Sequence, residues 1–528
     1  MRRFLVRLGL IIAAAAGAFI WLGSGTGGLA GAHALGMDDS SRWIAANSQN
    51  PQVLDTLEAA RTGMLRVEIP WDMVEKSPGA FAWTYESEYG LVDLGQLFSR
   101  LQRRGIEPVA VLSGGPIYLS HLYPQQPVNS EQLLESMARF AGAAAAHFGD
   151  DVKYWQIGRQ PNNADAWGQV LFPAAENPQA APDAALYSQM LQSAYHAIKN
   201  EEAGASILLG DLEFSADCGL HPNLFLQTIA DQRAWYAFDA ASLSLDALDD
   251  IPESVVVDSC GIMPLQLSGI PAADSIRAVV DLIEQTGAKA LWVHGLRFSN
   301  TFLDAQAAAR GTIPEAAASD VLARASAILR AYGSADRVFW DLAPLENTPG
   351  LLALQTYANI SLPLAGRFEG SMLPDSRDAF ALRFRGGGKV NLLAWYAHGG
   401  DQAAPMMISG AQGYEIHAFS ADSDSLKNRD GFALPVDDGG NIALMVSERP
   451  VLISGRPADL KQTITQTVED GAAQASAGAQ AKLNQWLQAQ KAKAAARVSG
   501  WVAEQQASLL DSLRTSLGEW LRKSLGLV

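Results

Sequence analysis

The strongest constraint on the fold is an alternation of short apolar segments with longer amphipathic ones between about residues 40 and 345. Most of the short segments are continuous apolar runs, as in parallel strands that are buried on both faces. We predict seven strands, at Met64–Ile69, Pro108–Leu112, Val152–Ile157, Ser206–Leu209, Phe238–Leu243, Ala288–Val293 and Arg337–Trp340. A weaker eighth strand is predicted near Trp43–Ala46.

Eight strand–helix units within about 300 residues predict a (β/α)8 TIM barrel, an α/β fold, over residues 37–345. The helical periodicity between the strands predicts helices at Leu91–Gln102, Ser130–His147, Ala184–Lys199, Asn223–Asp231, Ile276–Thr286 and Ala316–Tyr332. A doubly wound sheet is the alternative, but no glycine fingerprint follows the first strand.

After the barrel the pattern changes twice. Residues 346–456 contain alternating strands separated by turns, which predicts a small antiparallel β-sandwich. Its strands are expected at Phe380–Phe384, Val390–Tyr396, Tyr414–Phe419 and Ile442–Val446. Residues 457–528 place apolar side chains at helical spacing, which predicts an amphipathic helical tail. From Lys482 onward this tail has seven basic and three acidic residues, so residues 482–528 are expected to dock on a membrane surface or a protein partner, or to fold back on the barrel.

The amino terminus has the order of an export signal. Arg2, Arg3 and Arg7 precede an apolar run at residues 8–22, and a Gly/Ala-rich stretch follows. We predict that residues 1–36 are a signal peptide or an anchor in the cytoplasmic membrane formed by residues 8–35, which would put the chain in a periplasmic or extracellular space. In such a compartment Cys218 and Cys260 either form a disulfide or remain free thiols.

Composition excludes several classes of function. A net charge of -17 argues against a nucleic-acid partner. Two cysteines and eight scattered histidines give no metal-site spacing, and no phosphate-binding loop is found. We therefore expect no cofactor and no metal.

Several motifs occur in the order and spacing of a known family. Leu65–Trp71, followed by Glu75, Gly79 and Trp83, resembles the opening of the clan A glycoside hydrolases. Val152–Asn162 resembles their fourth-strand motif, W-E-I-W-N-E-P-N, and Ala290–Gly295 resembles their seventh-strand motif, W-V-T-E. With the β-domain, the resemblance covers about residues 40–455 and is to the xylosidase and exopolysaccharide-hydrolase branch.

The resemblance implies two catalytic glutamates, and this sequence has neither. Family members use one as general acid/base and one as nucleophile, at the ends of strands four and seven. The matching positions here are Gln160 and Gly295, and Arg159 stands where an asparagine is usual. An amide cannot donate a proton as a carboxylic acid does, and glycine has no side chain to attack a sugar carbon. The ordinary mechanism is therefore unavailable at these positions.

Other carboxylates lie near predicted strand ends, where barrel chemistry occurs. Asp211, Glu213 and Asp341 are the fallback catalytic candidates, with loop capping as the alternative role. Arg66 and Glu68 share one strand face, and we expect them to form an interior ion pair.

Candidate glycan-binding residues cluster near the same strand ends. Aromatic rings stack on sugars, although packing explains such rings equally well. The candidates are Arg66, Trp71, Tyr118, Trp155, Gln160, Asn162, Asn163, Trp167, His294 and Trp340. The amides bond sugar hydroxyls or hold the loop, and His294 either bonds a ligand or is a buried core histidine.

Three functions are compatible with these features. The leading one is an exported, envelope-attached pseudo-glycosidase that binds a glycan or polysaccharide, or scaffolds a surface or exopolysaccharide assembly. The alternatives are an active glycoside hydrolase with relocated carboxylates, and a structural subunit of a membrane complex docked through its tail. A cleft filled by side chains such as Arg159 and Arg297 favours scaffolding over glycan binding.

Overall fold

The computed structural model describes residues 34–455, except 41, 121–124, 176–179, 214–219, 246–247, 249–250, 254–270, 288, 342–350, 372–378, 387–388, 398–403, 409–416, 421–431 and 434–440. Residues 1–33 of the predicted leader and the tail at 457–528 lie outside these residues, as do Cys218 and Cys260. Leu35 and Gly36, which the prediction included in the leader, belong to the first barrel strand. In the described part of the chain, no helix has the length and apolar character needed to cross a bilayer.

Eight parallel strands close into a barrel, which confirms the predicted fold class. In chain order the barrel strands are β1 (Leu35–Asp38), β2 (Met64–Pro70), β3 (Glu107–Ser113), β4 (Tyr154–Arg159), β5 (Ser206–Glu213), β6 (Ala240–Ser244), β7 (Ala290–Leu296) and β8 (Arg337–Asp341). Each strand pairs with its sequence neighbours, and β1 closes the barrel against β8. Two short hairpins, formed by Glu75–Ser77 with Ala80–Phe81 and by Thr84–Ser87 with Gly90–Asp93, follow β2.

The prediction of the first strand was wrong. Trp43–Ala46 lies in a short helix, and the strand precedes it at Leu35–Asp38. A short apolar run fits either a strand or a buried helix, so periodicity alone cannot decide. Here the carboxylate of Asp39 accepts hydrogen bonds from the backbone N–H groups of Ile44 and Ala45, which favours the helical turn.

The helices surround the barrel at the expected places. They are α1 (Trp43–Asn47), α2 (Pro51–Ala59), α3 (Trp71–Val74), α4 (Leu94–Arg103), α5 (Ile117–Ser120), α6 (Ser130–Phe148), α7 (Ala164–Leu171), α8 (Ala184–Glu201), α9 (Pro222–Asp231), α10 (Pro271–Gly287), α11 (Asn300–Arg310), α12 (Pro314–Ala331) and α13 (Leu351–Leu364). Capping residues set several of the starts. Asn129 accepts from the N–H groups of the first turn of α6, and Asp183 does the same for α8.

Beyond the barrel the sheets are antiparallel. The strands are β9 (Arg367–Ser371), β10 (Ala379–Gly386), β11 (Lys389–Tyr396), β12 (Ala404–Ile408), β13 (His417–Ser420), β14 (Phe432–Ala433), β15 (Ile442–Val446) and β16 (Val451–Gly455). Six of them form a sheet in the order β9-β10-β11-β16-β13-β14, which belongs to the same compact unit as the barrel. Strands β12 and β15 pair with each other separately.

A layer of apolar side chains fills the barrel interior near the amino-terminal ends of the strands. Its members are Met64, Val109, Tyr154, Leu208, Ala240, Trp292 and Phe339. Gly36 completes the layer from β1, because its missing side chain leaves room for the ring of Phe339. Apolar residues thus close the lower part of the barrel, and polar side chains take the part above, near the carboxyl-terminal ends.

Substituting Gly36→Ala should therefore destabilise the barrel, since the added methyl group would overlap the ring of Phe339. We expect the free energy of unfolding to fall by about 1–3 kcal/mol, as in other overpacked cores. Chemical denaturation measures this loss. Gly204→Ala is the matched control, because a Cβ there meets nothing within 4 Å. Equal stability of the two variants would contradict the packing role.

Candidate functional site

Charged and polar side chains converge above the apolar layer, at the carboxyl-terminal ends of the barrel strands. All eight strands contribute, with Asp38, Arg66, Glu68, Ser113, Gln156, Arg159, Asp211, Glu213, Ser244, His294 and Asp341. In (β/α)8 barrels this end carries the active site, so these residues form the candidate functional site.

Arg66 forms the centre of the cluster. Its guanidinium donates to Oδ2 of Asp38 at 2.7 Å, to Oδ1 of Asp211 at 2.9 Å and to Oε1 of Gln156 at 2.9 Å. The amide of Gln156 in turn donates to Oδ1 of Asp211 at 2.6 Å. The charged side chains are 1–2% exposed, so one buried cation holds together carboxylates from opposite sides of the barrel.

Glu68 is neutralised by a second group of arginines. Arg159 donates to its Oε1 at 2.7 Å, and Arg42 donates to its Oε2 at 3.0 Å. Burial favours the protonated form, but the charges of these arginines outweigh it and lower the pKa of Glu68 to about 2. The predicted ion pair between Arg66 and Glu68 was therefore wrong in its partners, because each side chain is paired elsewhere.

The pKa values of two buried aspartates at the end of β1, Asp38 and Asp39, shift in the opposite direction. Burial raises the pKa of Asp38, against the charge of Arg66, and nearby Asp341 raises it further. Burial also raises the pKa of Asp39 to about 7, although the hydrogen bonds that its carboxylate accepts from two backbone N–H groups act to lower it. Asp38, Asp39 and Arg42 are absent from the predicted site residues, because all three precede the first strand that the sequence predicts at Trp43–Ala46. The signal that this prediction overlooked is the Asp-Asp pair directly after Leu-Gly-Met.

The positions that resemble catalytic glutamates have unusual backbones. Gln160 follows β4 with φ 44°, and its N–H points to Oδ1 of Asp211 at 3.3 Å. Gly295 lies in β7 with φ 61°, which favours glycine, and a Cβ there would be 3.2 Å from Oγ of Ser244. A carboxylate side chain at position 295 would therefore strain the backbone.

The fallback carboxylates are engaged by protein groups. Asp211 accepts from Arg66 and Gln156, as described above. Glu213 accepts from Nδ2 of Asn163, and Oδ2 of Asp341 accepts from the hydroxyl of Ser40 at 2.7 Å. Asn162 bonds the backbone N–H and C=O of Glu213, which is the loop-holding alternative for this residue.

The candidate tryptophans are packed in the protein interior. Trp71, Trp155, Trp167 and Trp340 are at most 1% exposed. Trp71 stacks on Phe140 at 4.8 Å between ring centroids, for example. This burial matches the packing alternative. Tyr118 is partly exposed and bonds Arg139.

His294 faces the barrel interior and is fully buried against the ring of Phe339, at 4.6 Å between centroids. Burial and the charge of Arg66 keep its pKa well below the usual value, so the ring is neutral. Neither ring nitrogen has a hydrogen-bond partner in the part of the chain that the structure describes. Within that same part, no group of three or more His, Cys, Asp or Glu side chains is arranged to hold a metal ion.

No family model and no curated protein matches the sequence. Solved structures match with TM-scores above 0.5. A family 39 glycoside hydrolase from Bacteroides cellulosilyticus is 16% identical over 80% of this chain and 80% of its own, with a TM-score of 0.58. A GH30 endoxylanase from Clostridium papyrosolvens is 10% identical over 80% and 95%, with 0.53, and a glucosidase from Croceicoccus marinus is 13% identical over 80% and 95%, with 0.51. The chain therefore has a glycoside hydrolase-like fold.

Removing the positive charge of Arg66 should destabilise the fold. In Arg66→Met, two buried carboxylates lose their counter-charge, and we expect the free energy of unfolding to fall by about 3–5 kcal/mol. Urea denaturation measures the loss. Arg233→Met, at an exposed arginine, is the control and should change stability by less than about 0.5 kcal/mol. Adding Asp38→Asn and Asp211→Asn to Arg66→Met should recover part of the loss; no recovery would argue against a charge effect.

The pKa shifts of Asp39 and Glu68 predict opposite pH dependences of the free energy of unfolding. The raised pKa of Asp39 stabilises the fold at low pH, and this stabilisation is lost as the pH rises from about 4 towards about 7. The lowered pKa of Glu68 stabilises the fold above about 4.5, and this is lost as the pH falls towards about 2. Asp39→Asn should therefore reduce the fall in unfolding free energy between about pH 5 and pH 8. Exposed Asp304→Asn should leave that fall unchanged; the same slope in both variants would refute the assignment.

Proposed function

We propose that this chain is a glycoside hydrolase-like barrel that binds a glycan without cleaving it, and that it works outside the cytoplasm, attached to the cell envelope. One observation carries the proposal: Glu68 and Asp211, two carboxylates at the barrel end that holds Gln160 and Gly295, are bound by arginines from the chain itself. Export and attachment rest on the leader and tail patterns alone.

Hydrolysis needs a carboxylic acid that can reach the glycosidic oxygen and a second carboxylate that attacks the sugar carbon or activates a water to do so. The two groups with raised pKa, Asp38 and Asp39, are only 2% and 3% exposed, so neither can reach a substrate oxygen. Glu68 is anionic, but Arg159 and Arg42 hold it. Among these three carboxyl groups, the two with raised pKa are buried and the anionic one is held by arginines, which argues against the hydrolase alternative.

A set of half-exposed polar residues lies at the same barrel end. It consists of Arg42, Arg159, Gln160, Asn163 and Glu213. Guanidinium and amide N–H groups donate to sugar hydroxyls, and carboxylate and amide oxygens accept from them. This rim supports recognition of a glycan by hydrogen bonds rather than by the predicted tryptophan stacking.

Scaffolding of a surface or exopolysaccharide assembly is the second candidate. The burial of Trp71, Trp155, Trp167 and Trp340 favours it, because these rings offer no stacking surface to a sugar. In that case, docking would depend on the tail at 457–528.

Glycan binding and hydrolysis should be measured side by side with the full chain. We expect binding to some members of a glycan panel and no release of reducing sugar. Gln160→Gly keeps the positive φ but removes the amide, so it should fold normally and bind about 3–10-fold more weakly, the loss of one hydrogen bond. Arg233→Gly is the control, at an exposed residue that also has positive φ.

Three outcomes would change the account. Cleavage that Asp211→Asn, Glu213→Gln or Asp341→Asn abolishes would establish a hydrolase with relocated carboxylates. Unchanged affinity in Gln160→Gly would move binding away from this barrel end. Absence of both binding and cleavage across the panel would favour the scaffold.

A further inference from the structure

A pocket of about 280 Å³ opens on the outer side of the barrel, between helices α2 and α4. It is lined by Ser48, Gln49 and Leu54 and by three arginines, Arg100, Arg103 and Arg104. Pockets for drug-sized ligands occupy about 300–1,000 Å³, so this one suits a smaller ligand, such as a single sugar ring.

The pocket is positively charged in a chain whose net charge is -17. Arg100 donates to the carbonyl of Ser48 at 2.9 Å and to Oε1 of Gln96 at 3.1 Å. Arg103 donates to the carbonyl of Ser99 at 3.2 Å. These acceptors are neutral, and neither arginine forms a salt bridge with a carboxylate of the described residues.

The third arginine is different. Arg104 donates to Oδ1 of Asp55 at 2.7 Å and lies 3.6 Å from Oε2 of Glu58. These carboxylates offset one of the three positive charges. Two uncompensated guanidinium groups therefore remain at one pocket, and helix α4 holds them one turn apart.

Guanidinium groups bind carboxylates in planar, two-bond contacts. The rest of the lining suits a sugar. Gln49 donates through Nε2 to Oε1 of Gln96 at 3.2 Å, and its amide oxygen can accept from a hydroxyl. Leu54, with neighbouring Pro51, offers an apolar surface to a ring face. We infer that the pocket between α2 and α4 binds the carboxylate of an acidic sugar unit, a uronic acid, in the glycan that this chain recognises. The inference rests on the proposed function and specifies its ligand as acidic.

Trigalacturonate and its neutral methyl ester provide a matched pair of probes. By calorimetry on the full chain, we expect the acid to bind more tightly than the ester, and to weaken as salt is raised. Arg100→Gln with Arg103→Gln should weaken acid binding about tenfold or more and leave the ester unaffected. Arg233→Gln, which removes one exposed charge elsewhere, should have no effect.

Equal binding of acid and ester, or full retention of acid binding in the double variant, would overturn the inference. So would arginine-dependent binding to phosphatidylglycerol vesicles without binding of trigalacturonate, which would assign the pocket to a membrane surface. Neutral glycans bound without any preference for acid would remove only the pocket and leave the proposed function standing. Arginine-dependent binding accompanied by cleavage would support the pocket and overturn the proposed function.

Discussion

The buried guanidinium of Arg66 is the interaction on which the upper half of the barrel depends. It contacts Asp38 on β1 and Asp211 on β5, and so links strands on opposite sides of the ring. Buried carboxylates cost several kcal/mol each unless a counter-charge and hydrogen bonds compensate them. Because Arg66 meets that need from the centre, the barrel can carry polar residues where a packed apolar layer would otherwise continue.

This charge arrangement also determines the chemistry that the site permits. A retaining hydrolase needs one carboxyl group that holds a proton and one that is free to attack, both within reach of the sugar. Here burial raises the pKa of Asp38 and Asp39, neither of which is accessible, while Glu68 is anionic and bound by Arg159. These contacts support our proposal that the site binds a glycan by hydrogen bonds without cleaving it, in a fold shared with glycoside hydrolases.

Local sequence signals predicted most helices and strands correctly. They did not predict which side chains meet across the barrel. The start of α6 follows from Asn129, and strand β3 from the apolar run at Pro108–Leu112, since both signals are local. The partners of Arg66 lie 28 and 145 residues away in sequence, so only the closed barrel decides which carboxylates meet it. Likewise, a tryptophan near a strand end is buried or exposed according to the face of the sheet that it occupies. Its position along the strand does not determine this exposure.

The most direct test of whether this barrel end has a catalytic nucleophile is covalent labelling by a mechanism-based glycosidase probe, such as an epoxide or aziridine sugar analogue, followed by intact-protein and peptide mass spectrometry. Such probes trap the nucleophilic carboxylate of retaining enzymes. The account predicts no adduct on the folded chain over a panel of sugar configurations. A stoichiometric adduct on Glu68, Asp211, Glu213 or Asp341 would contradict it and identify the nucleophile.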